Sequence, residues 1–296
     1  MRFSGGWDMS YLDRIAACNN AKLGQFPTFK VAGQPYGYVL PSFAECLACF
    51  PHVFSVTHND VWLDNKLVHY KERTEAVMEV MCQLYNDKIL DSWVGENYPI
   101  THNFGSHAEF EVERAATSYL GIKNFGLHVN GLVKTADGIK VWVGTRTLTK
   151  PLWPGKLDQM VAGGQPVGIS VRQNMLKEAA EEAAIPAELA QTAQHVRNID
   201  YQQQSERGLD RSTIFVFDLW LPEDFQPVNT DGEVTQFELM TLEQMADLTA
   251  QTTDFKDNCN LVNIDLLLRL GYINAQHPDY DKIHQNLNSR IPPYAH

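Results

Sequence analysis

The stretch 163-GGQPVGISVRQNMLKEAAEEAAIP-186 decides the fold of this chain. A short apolar strand leads into Gly163-Gly164, and glycines at this point allow the backbone to turn back sharply. After a loop, Ser170 is a suitable N-cap for a helix that begins near Val171. Pro186 ends this helix because proline cannot continue the helical hydrogen bonding. The stretch therefore predicts a strand, a tight turn and a helix in succession.

Three carboxylates, on Glu178, Glu181 and Glu182, occupy positions i, i+3 and i+4 of this predicted helix and project from one side of it. The apolar stripe is formed by Val171, Met175 and Leu176, so we expect the glutamates to lie toward the other side. Like charges at this spacing repel each other, and the negative end of the helix dipole adds to the cost. Two explanations are open: a solvated acidic face, or a site for a hard divalent cation such as Mg²⁺.

Residues 163–185 resemble the Nudix box, whose pattern is G-x5-E-x7-R-E-U-x-E-E-x-G-U, with U an apolar residue. Gly163 stands at the first glycine, Glu178 at the glutamate after the arginine, and Glu181 and Glu182 at the double glutamate, with no gap in the spacing. Three positions depart from the pattern: Ile169 replaces the first glutamate, Lys177 the arginine and Ala184 the last glycine.

Longer segments resemble one group within this superfamily, the Nudix proteins fused or related to fungal and plant thiamin pyrophosphokinase. The segments that carry this resemblance include KLDQMVAGG, KEAAEEAAI, DGEVTQFELM and LVNIDLLLRLGYI. In that group a distinct N-terminal domain precedes the Nudix fold. The resemblance implies an α+β protein in which residues 1–118 form a small N-terminal α/β domain. Residues 119–275 would form a Nudix α/β/α sandwich. Separately, the prolines at positions 278, 292 and 293 indicate that residues 276–296 are a loop or a loosely attached tail.

The resemblance also implies a metal-dependent hydrolysis of a diphosphate. It assigns the carbonyl of Gly163 and the carboxylates of Glu178, Glu181 and Glu182 as ligands of Mg²⁺ or Mn²⁺. Glu181, Glu182 and Lys177 form the expected catalytic set. Glu233, in a turn before a later strand, is either a further metal ligand or an exposed turn acid. The expected substrate is thiamin diphosphate or a damaged oxo or oxy analogue, cleaved to the monophosphate and phosphate.

Other residues near the box are candidates for substrate binding. Arg146, Lys150 and Lys156 flank the strand that leads into it, and they are either phosphate-binding cations or surface cations. Asp158 and Gln159 either contact the organic part of a substrate or close a turn. Trp153 and Tyr201 either stack on a heterocyclic ring or belong to the core. His128 is expected to be structural.

Two other functions stay open from the sequence. One is a Nudix hydrolase for a nucleoside diphosphate derivative such as ADP-ribose. The other is a ligand-binding Nudix protein without turnover, which the changes at Ile169 and Lys177 make conceivable. In both cases the partner is a small molecule, and we expect two chains to pair because pairing is common in this superfamily.

Composition sets the wider limits. The chain has 296 residues, 44% of them hydrophobic, and a formal net charge of -12, which argues against binding to nucleic acid or to anionic membranes. No apolar run approaches the roughly 18 residues needed to span a bilayer, and the first residues lack an apolar signal core. Five dispersed cysteines, including the pair Cys46 and Cys49 in a helix-like pattern, suit reduced thiols. These observations predict a cytosolic protein.

Overall fold

The structure of the protein is a computed structural model that describes residues 10–287. Its helices are α1 (Tyr11–Ala17), α2 (Pro41–Leu47), α3 (Tyr70–Asn86), α4 (Thr117–Leu120), α5 (Val171–Ala183), α6 (Ala187–Ala190), α7 (Leu242–Gln251), α8 (Asp257–Arg269) and α9 (Tyr280–Leu287). Its strands are β1 (Thr28–Val31), β2 (Gln34–Tyr38), β3 (Phe54–Val56), β4 (Asp60–Leu63), β5 (Asn97–Pro99), β6 (Glu111–Glu113), β7 (Lys123–Thr135), β8 (Gly138–Arg146), β9 (Leu157–Gln159), β10 (Val161–Gly164), β11 (Gln194–Ser205), β12 (Gly208–Leu221) and β13 (Val234–Thr241).

The first unit of the fold is a small sheet that packs against helices. Its sheet has the order β2-β1-β4-β3, with β1 and β4 parallel and the other neighbours antiparallel. Buried residues of the sheet, such as Phe29 and Val61, share one hydrophobic core with Val77 and Leu84 of α3. Cys46 packs against this core as a free thiol, which agrees with a packing role. The short hairpin of β5 and β6 extends the unit toward the second half of the chain.

The second unit is built on one mixed sheet with the order β11-β12-β7-β8-β13. The strand β10 also pairs with β7, and β9 also pairs with β8. The segment that leads into the box is therefore hydrogen-bonded to the central strands of this sheet. The strands β7 and β12 are parallel, and β7 and β8 form an antiparallel hairpin whose turn lies between Thr135 and Gly138.

Successive residues of a strand point to opposite faces of the sheet, and both faces of this sheet are covered. Ile214 and Val216 of β12 face a core shared with α7, α8 and α1. Phe215 and Phe217 of the same strand face the core under α5. The predicted α/β/α sandwich is therefore confirmed.

The helix of the box begins and ends as predicted, at Val171 and Ala183, and Ser170 caps it through a reciprocal bond with Gln173. The expected orientation of its carboxylates is wrong. Glu178 and Glu182 are buried on the same side as Met175, and of the three carboxylates only Glu181 is exposed. The reason is that the alanines at positions 179 and 183 also face the sheet, and their small side chains let the helix approach closely enough to bury its neighbouring carboxylates.

The two ends of the described chain also pack on the second unit. Ile15 and Cys18, at the first helix, enter the core formed with α8, and Ile283 and Leu287 of α9 enter it as well. The expectation of a loosely attached tail is wrong for Tyr280–Leu287, because their apolar residues recur at helical spacing and bury one face of α9. Residues 288–296, the rest of the predicted tail, lie outside the described residues. The domain boundaries stay a prediction.

The two units meet through close backbone contacts. The Tyr38 amide donates to the Gly121 carbonyl over 3.3 Å, and a Cβ built on Gly121 would lie 2.0 Å from the Tyr38 oxygen. Gly121 has a φ of 57°, so both its conformation and its contact require glycine. Nearer the box, the Val167 amide donates to the Asn97 carbonyl over 2.9 Å. These contacts set the first unit against the loop that precedes α5.

Candidate active site

A cavity of about 310 Å³ lies between the two units. Residues of the first unit, among them Glu96, Tyr98 and Arg114, line one wall. The box lines the opposite side through Gly163, Gly164, Lys177, Glu178 and Glu181. The cavity continues along the sheet to Tyr201, Asp210, Ser212 and Asn258. The box is thus at one end of a cleft whose walls come from both halves of the chain.

Glu178 reaches the cavity across the backbone of β10. A Cβ built on Gly163 would lie 2.5 Å from the Glu178 Cδ, so only glycine leaves room for the carboxylate at this point. Burial raises the pKa of Glu178, and the charge of Lys177 partly offsets this effect. Glycine is therefore required at position 163 to leave space for the Glu178 carboxylate.

Lys177 holds two of the three carboxylates together. Its Nζ lies 3.2 Å from Glu178 Oε1 and 3.3 Å from Glu181 Oε2. Opposite charges at this distance offset the repulsion between the two glutamates. A lysine in the arginine position of the pattern therefore still organises the acidic residues, although it does so as a point charge rather than a planar fork.

Glu182 lies behind the cavity lining, on the side of β10. Its Oε2 accepts a hydrogen bond of 2.7 Å from the amide of Ala162. Burial raises its pKa well above the usual value, and this one amide only partly compensates. A buried carboxylate in this state gains free energy from any additional positive charge.

The donors of the box fit a hard divalent cation. Three carboxylates and the carbonyl of the glycine they surround are all oxygen ligands, which Mg²⁺ and Mn²⁺ prefer. The carboxylates do not converge on one point. Within residues 10–287, the group whose potential ligand atoms all lie within 4.8 Å of one another is His128, Asp158 and Cys259 instead. This group does not fit a cation, because the Asp158 carboxylate already pairs with Arg146 and Lys256.

Two of the predicted substrate-binding residues, Arg146 and Lys156, bond to the protein itself. Arg146 lines the cavity, but its guanidinium donates to Asp158, to the Trp153 carbonyl and to the Leu152 carbonyl, over 2.9, 3.1 and 3.0 Å. Lys156 lies outside the lining and donates to the Thr253 carbonyl. In this structure both residues hold the loop between β8 and β9.

Asp158 and Gln159 are buried behind the cavity. Burial alone would raise the pKa of Asp158, but Lys256, His128 and Arg146 together hold it well below its usual value. The Gln159 Nε2 donates to Asn263 Oδ1 over 2.7 Å, and its Oε1 pairs with His128. Neither side chain belongs to the cavity lining, and both contact α8, where Asp158 accepts a hydrogen bond from the Cys259 thiol and Gln159 donates to Asn263.

Glu233 does lie at the cavity, where its carboxylate forms an ion pair with Lys150. The turn that presents it is fixed by Asp231, whose Oδ1 accepts the Glu233 amide over 2.8 Å. The same loop covers the end of α5, where the Thr230 amide donates to the Glu181 carbonyl over 3.1 Å. Glu233 and Glu181 therefore face one cavity, although about fifty residues separate them in the chain.

Sequence reasoning missed the residues that the first unit and α8 contribute. Glu96, Tyr98, Arg114 and Lys256 all line the cavity, yet none belongs to a recognisable motif. Lys256 lines the cavity although Lys156 does not, and its Nζ lies 3.7 Å from Asp158 Oδ2. Only the folded chain brings these positions to the box, so no local spacing signals them.

Comparison with known proteins decides the family. The chain is 40% identical over 284 residues to Nudix hydrolase 24, chloroplastic, of Arabidopsis thaliana, covering 94% of this chain and 78% of that protein. The chain belongs to the Nudix hydrolase family. Nudix hydrolase 20, chloroplastic, of the same plant is 38% identical over 292 residues, covering 95% of this chain and 78% of that Nudix hydrolase. The predicted enzyme class, a hydrolase of diphosphate-bearing compounds that uses divalent metal ions, is thereby supported.

Further comparisons concern parts of this Nudix hydrolase. Residues 10–124 match a family model described as a domain of unknown function (DUF4743). Among solved structures, the dihydroneopterin triphosphate pyrophosphohydrolase of E. coli is similar, with 18% identity and a TM-score of 0.39. That similarity covers 49% of this chain and 95% of the other.

One expectation is corrected by the same comparison. The cytosolic location predicted from the sequence is wrong by this measure, because both plant relatives are named chloroplastic. Composition does not determine where a protein is located, so the prediction of a cytosolic location had no physical basis in the chain. Within residues 10–287, no helix has both the length and the apolar character that crossing a membrane requires.

Proposed function

We propose that this Nudix hydrolase cleaves thiamin diphosphate, or an oxo or oxy analogue of it, to the monophosphate and phosphate. The observation that supports this proposal best is that the cavity has two chemically different ends. The box end carries its acidic residues together with Lys177, and the end toward β11 carries the polar groups of Tyr201, Asp210 and Asn258 together with Arg207.

The box end suits the diphosphate. Glu178, Glu181 and Glu182, with the carbonyl of Gly163 and with Glu233, would hold Mg²⁺ or Mn²⁺ there. A bound cation of this kind neutralises phosphate charge and lowers the pKa of water. Lys177 keeps Glu178 and Glu181 beside each other in the position where a water molecule would be oriented. In this proposal Glu181, which is exposed to the cavity, positions that water.

The far end suits an amino-substituted ring. Asp210 lines it, with one carboxylate oxygen accepting a hydrogen bond from Ser118. Burial raises the pKa of Asp210, although Ser118 and Arg207 partly offset this effect. A partly desolvated carboxylate of this kind accepts hydrogen bonds from an exocyclic amino group. Tyr201 and Asn258 complete this end, and Trp153 lies at the cavity as a candidate stacking surface.

The test is phosphate release from a panel of substrates with and without Mg²⁺. We expect turnover of thiamin diphosphate or its oxidised analogues, dependence on the metal, and no comparable turnover of ADP-ribose. Glu181→Gln should lower the rate by about 100-fold or more without changing the fold. Preferred turnover of ADP-ribose would replace the thiamin assignment, and binding without phosphate release would replace catalysis by ligand binding.

A second part of the proposal concerns assembly. We propose that two chains form a dimer in solution, because dimers are common among proteins of the Nudix superfamily. Light scattering of the purified protein would give about twice the mass of 33.5 kDa if this is correct. A mass equal to one chain at all concentrations would refute it.

A further inference from the structure

Arg114 of the first unit occupies an unusual position beside the box. Its guanidinium Cζ would lie 3.3 Å from a Cβ built on Gly164, so it rests directly on the backbone next to Gly163. The side chain is exposed, and it lines the cavity that also contains Glu178 and Glu181. A cation from a different unit of the protein thus reaches the site where the diphosphate is expected.

The backbone holds Arg114 firmly in this position. Its amide donates to the Glu96 carbonyl over 2.8 Å, at the end of the β5–β6 hairpin. The preceding residue, Glu113, is buried and accepts the amides of Val94 and Gly95 over 2.9 and 3.1 Å. The backbone from which the Arg114 side chain extends is therefore fixed beside the cavity.

Tyr98 adds a second, independent observation. Its hydroxyl would lie 1.6 Å from a Cβ on Gly164, and it is 3% exposed. Among residues 10–287, no group completes a hydrogen bond of regular geometry with this hydroxyl, although the nearby backbone amide of Gln165 lowers its pKa in part against the effect of burial. A buried hydroxyl without a partner is costly. The hydroxyl and the guanidinium therefore form a donor pair at the same point of the cavity wall.

Within residues 10–287, most of the hydrogen-bonding capacity of Arg114 is unused, although its guanidinium Cζ also lies 6.0 Å from the centroid of the Tyr98 ring. Its side chain makes one ion pair, in which Nη1 lies 3.1 Å from Glu96 Oε2. An arginine has five N–H donors in a planar fork that matches the oxygens of a phosphate. Arg146, by contrast, has two of its nitrogens bonded to carbonyls of the loop between β8 and β9, and a third bonded to Asp158 of β9. Of these two arginines, Arg114 is the better suited to a ligand.

We propose that Arg114 binds a phosphate group of the diphosphate substrate, with the Tyr98 hydroxyl as an auxiliary donor. The first unit is then a working part of the active site and not an appended domain. This inference rests on the diphosphate chemistry of the proposed function, but it does not depend on the identity of the organic group. It assigns the specificity for a diphosphate to residues outside the box.

Binding of methylenediphosphonate tests the proposal, because this compound carries no heterocycle and its P–C–P bridge is not hydrolysed. Calorimetry with Mg²⁺ present would compare the wild type with Arg114→Gln, Arg114→Lys and Lys71→Gln. Lys71 is on α3 and its side chain is 85% exposed, so Lys71→Gln removes one positive charge from the same unit away from the cavity. We expect Arg114→Gln to weaken binding about 10- to 100-fold, Arg114→Lys to weaken it less, and Lys71→Gln to have no effect.

Wild-type affinity of Arg114→Gln would overturn the proposal, and so would an equal loss in Lys71→Gln. If Arg114→Gln does not fold, as judged by circular dichroism, Arg114→Lys decides: weaker binding supports the proposal, and unchanged binding overturns it. A failure of the thiamin assignment can be distinguished from a failure of the Arg114 proposal. In that case the wild type does not hydrolyse thiamin diphosphate, while methylenediphosphonate still binds in an Arg114-dependent manner.

Discussion

The carboxylate of Glu178 lies across the backbone of Gly163, so closely that a Cβ on this glycine would stand 2.5 Å from the Glu178 Cδ. Gly163 belongs to β10 and Glu178 to α5, and the two elements pack against each other only because no side chain separates them here. The first glycine of the box is thus required by the position of its own glutamate.

Gly163→Ala should therefore displace Glu178 and lower the hydrolysis rate by about tenfold or more, with a smaller effect on thermal unfolding. Steady-state kinetics and a melting curve measure the two effects. Gly24→Ala is the matched control, because a Cβ there meets no atom within 4 Å. Equal activity of the two variants would show that the Glu178 position does not matter for hydrolysis.

Glu182→Gln separates the charge of this residue from its structural hydrogen bond. Glutamine can still accept the amide of Ala162, so the fold should be kept while one anionic ligand is lost. We expect the rate to fall by about 100-fold and the Mg²⁺ concentration for half-maximal activity to rise. Glu188→Gln, at an exposed position of α6, is the control. A Glu182→Gln variant with full activity would remove this residue from the metal set.

Asp158→Asn tests whether this residue is structural. The change leaves Arg146 and Lys256 beside a neutral amide, and breaking a buried ion pair costs about 3–5 kcal/mol. Urea unfolding should show a loss of this order, whereas Asp224→Asn, in an exposed loop, should change little. A small loss of stability combined with a raised KM would instead favour direct substrate binding by Asp158.

His128 should make stability depend on pH in the acidic range. Burial and the nearby Lys256 lower its pKa to about 4, so the folded state does not take up the proton that the unfolded state binds near its ordinary pKa of about 6.5. The contribution of His128 to stability is present above that value and is lost as the pH falls toward about 4. His128→Gln should reduce this slope in unfolding free energy between about pH 7 and about pH 4.5, and His58→Gln, at an exposed site, should not. Identical slopes in all three proteins would show that His128 does not titrate as described.

Ala184→Gly should stabilise the protein, because Ala184 ends α5 with a φ of 50°. The left-handed conformation costs an alanine about 1–2 kcal/mol, and glycine loses about 0.5–1 kcal/mol through its greater freedom in the unfolded chain. The net gain should be about 1 kcal/mol or less, measured by urea unfolding. Ala180→Gly, exposed in the same helix, should have the opposite sign. Destabilisation by both variants would contradict this account of the helix end.

Much of the box could be predicted from the sequence. The cap at Ser170, the stop at Pro186 and the glycine turn depend on neighbouring residues alone, so the strand, turn and helix followed from local chemistry. The spacing of Glu178, Glu181 and Glu182 indicated a cation site for the same reason. Their burial was not predictable, because it depends on how closely α5 approaches the sheet.

By itself, the sequence determined the order of elements around the box, the acidic donors it carries and the family to which the chain belongs. Only the tertiary structure decided that Arg146, although it lines the cavity, is bonded to the loop before β9, that Lys156 lies outside the lining, and that Arg114 and Lys256 belong to it. The physical reason is that local patterns fix backbone geometry over a few residues. A cavity wall, in contrast, is lined by residues of β5, β10 and α8, and these elements lie more than forty residues apart in the chain.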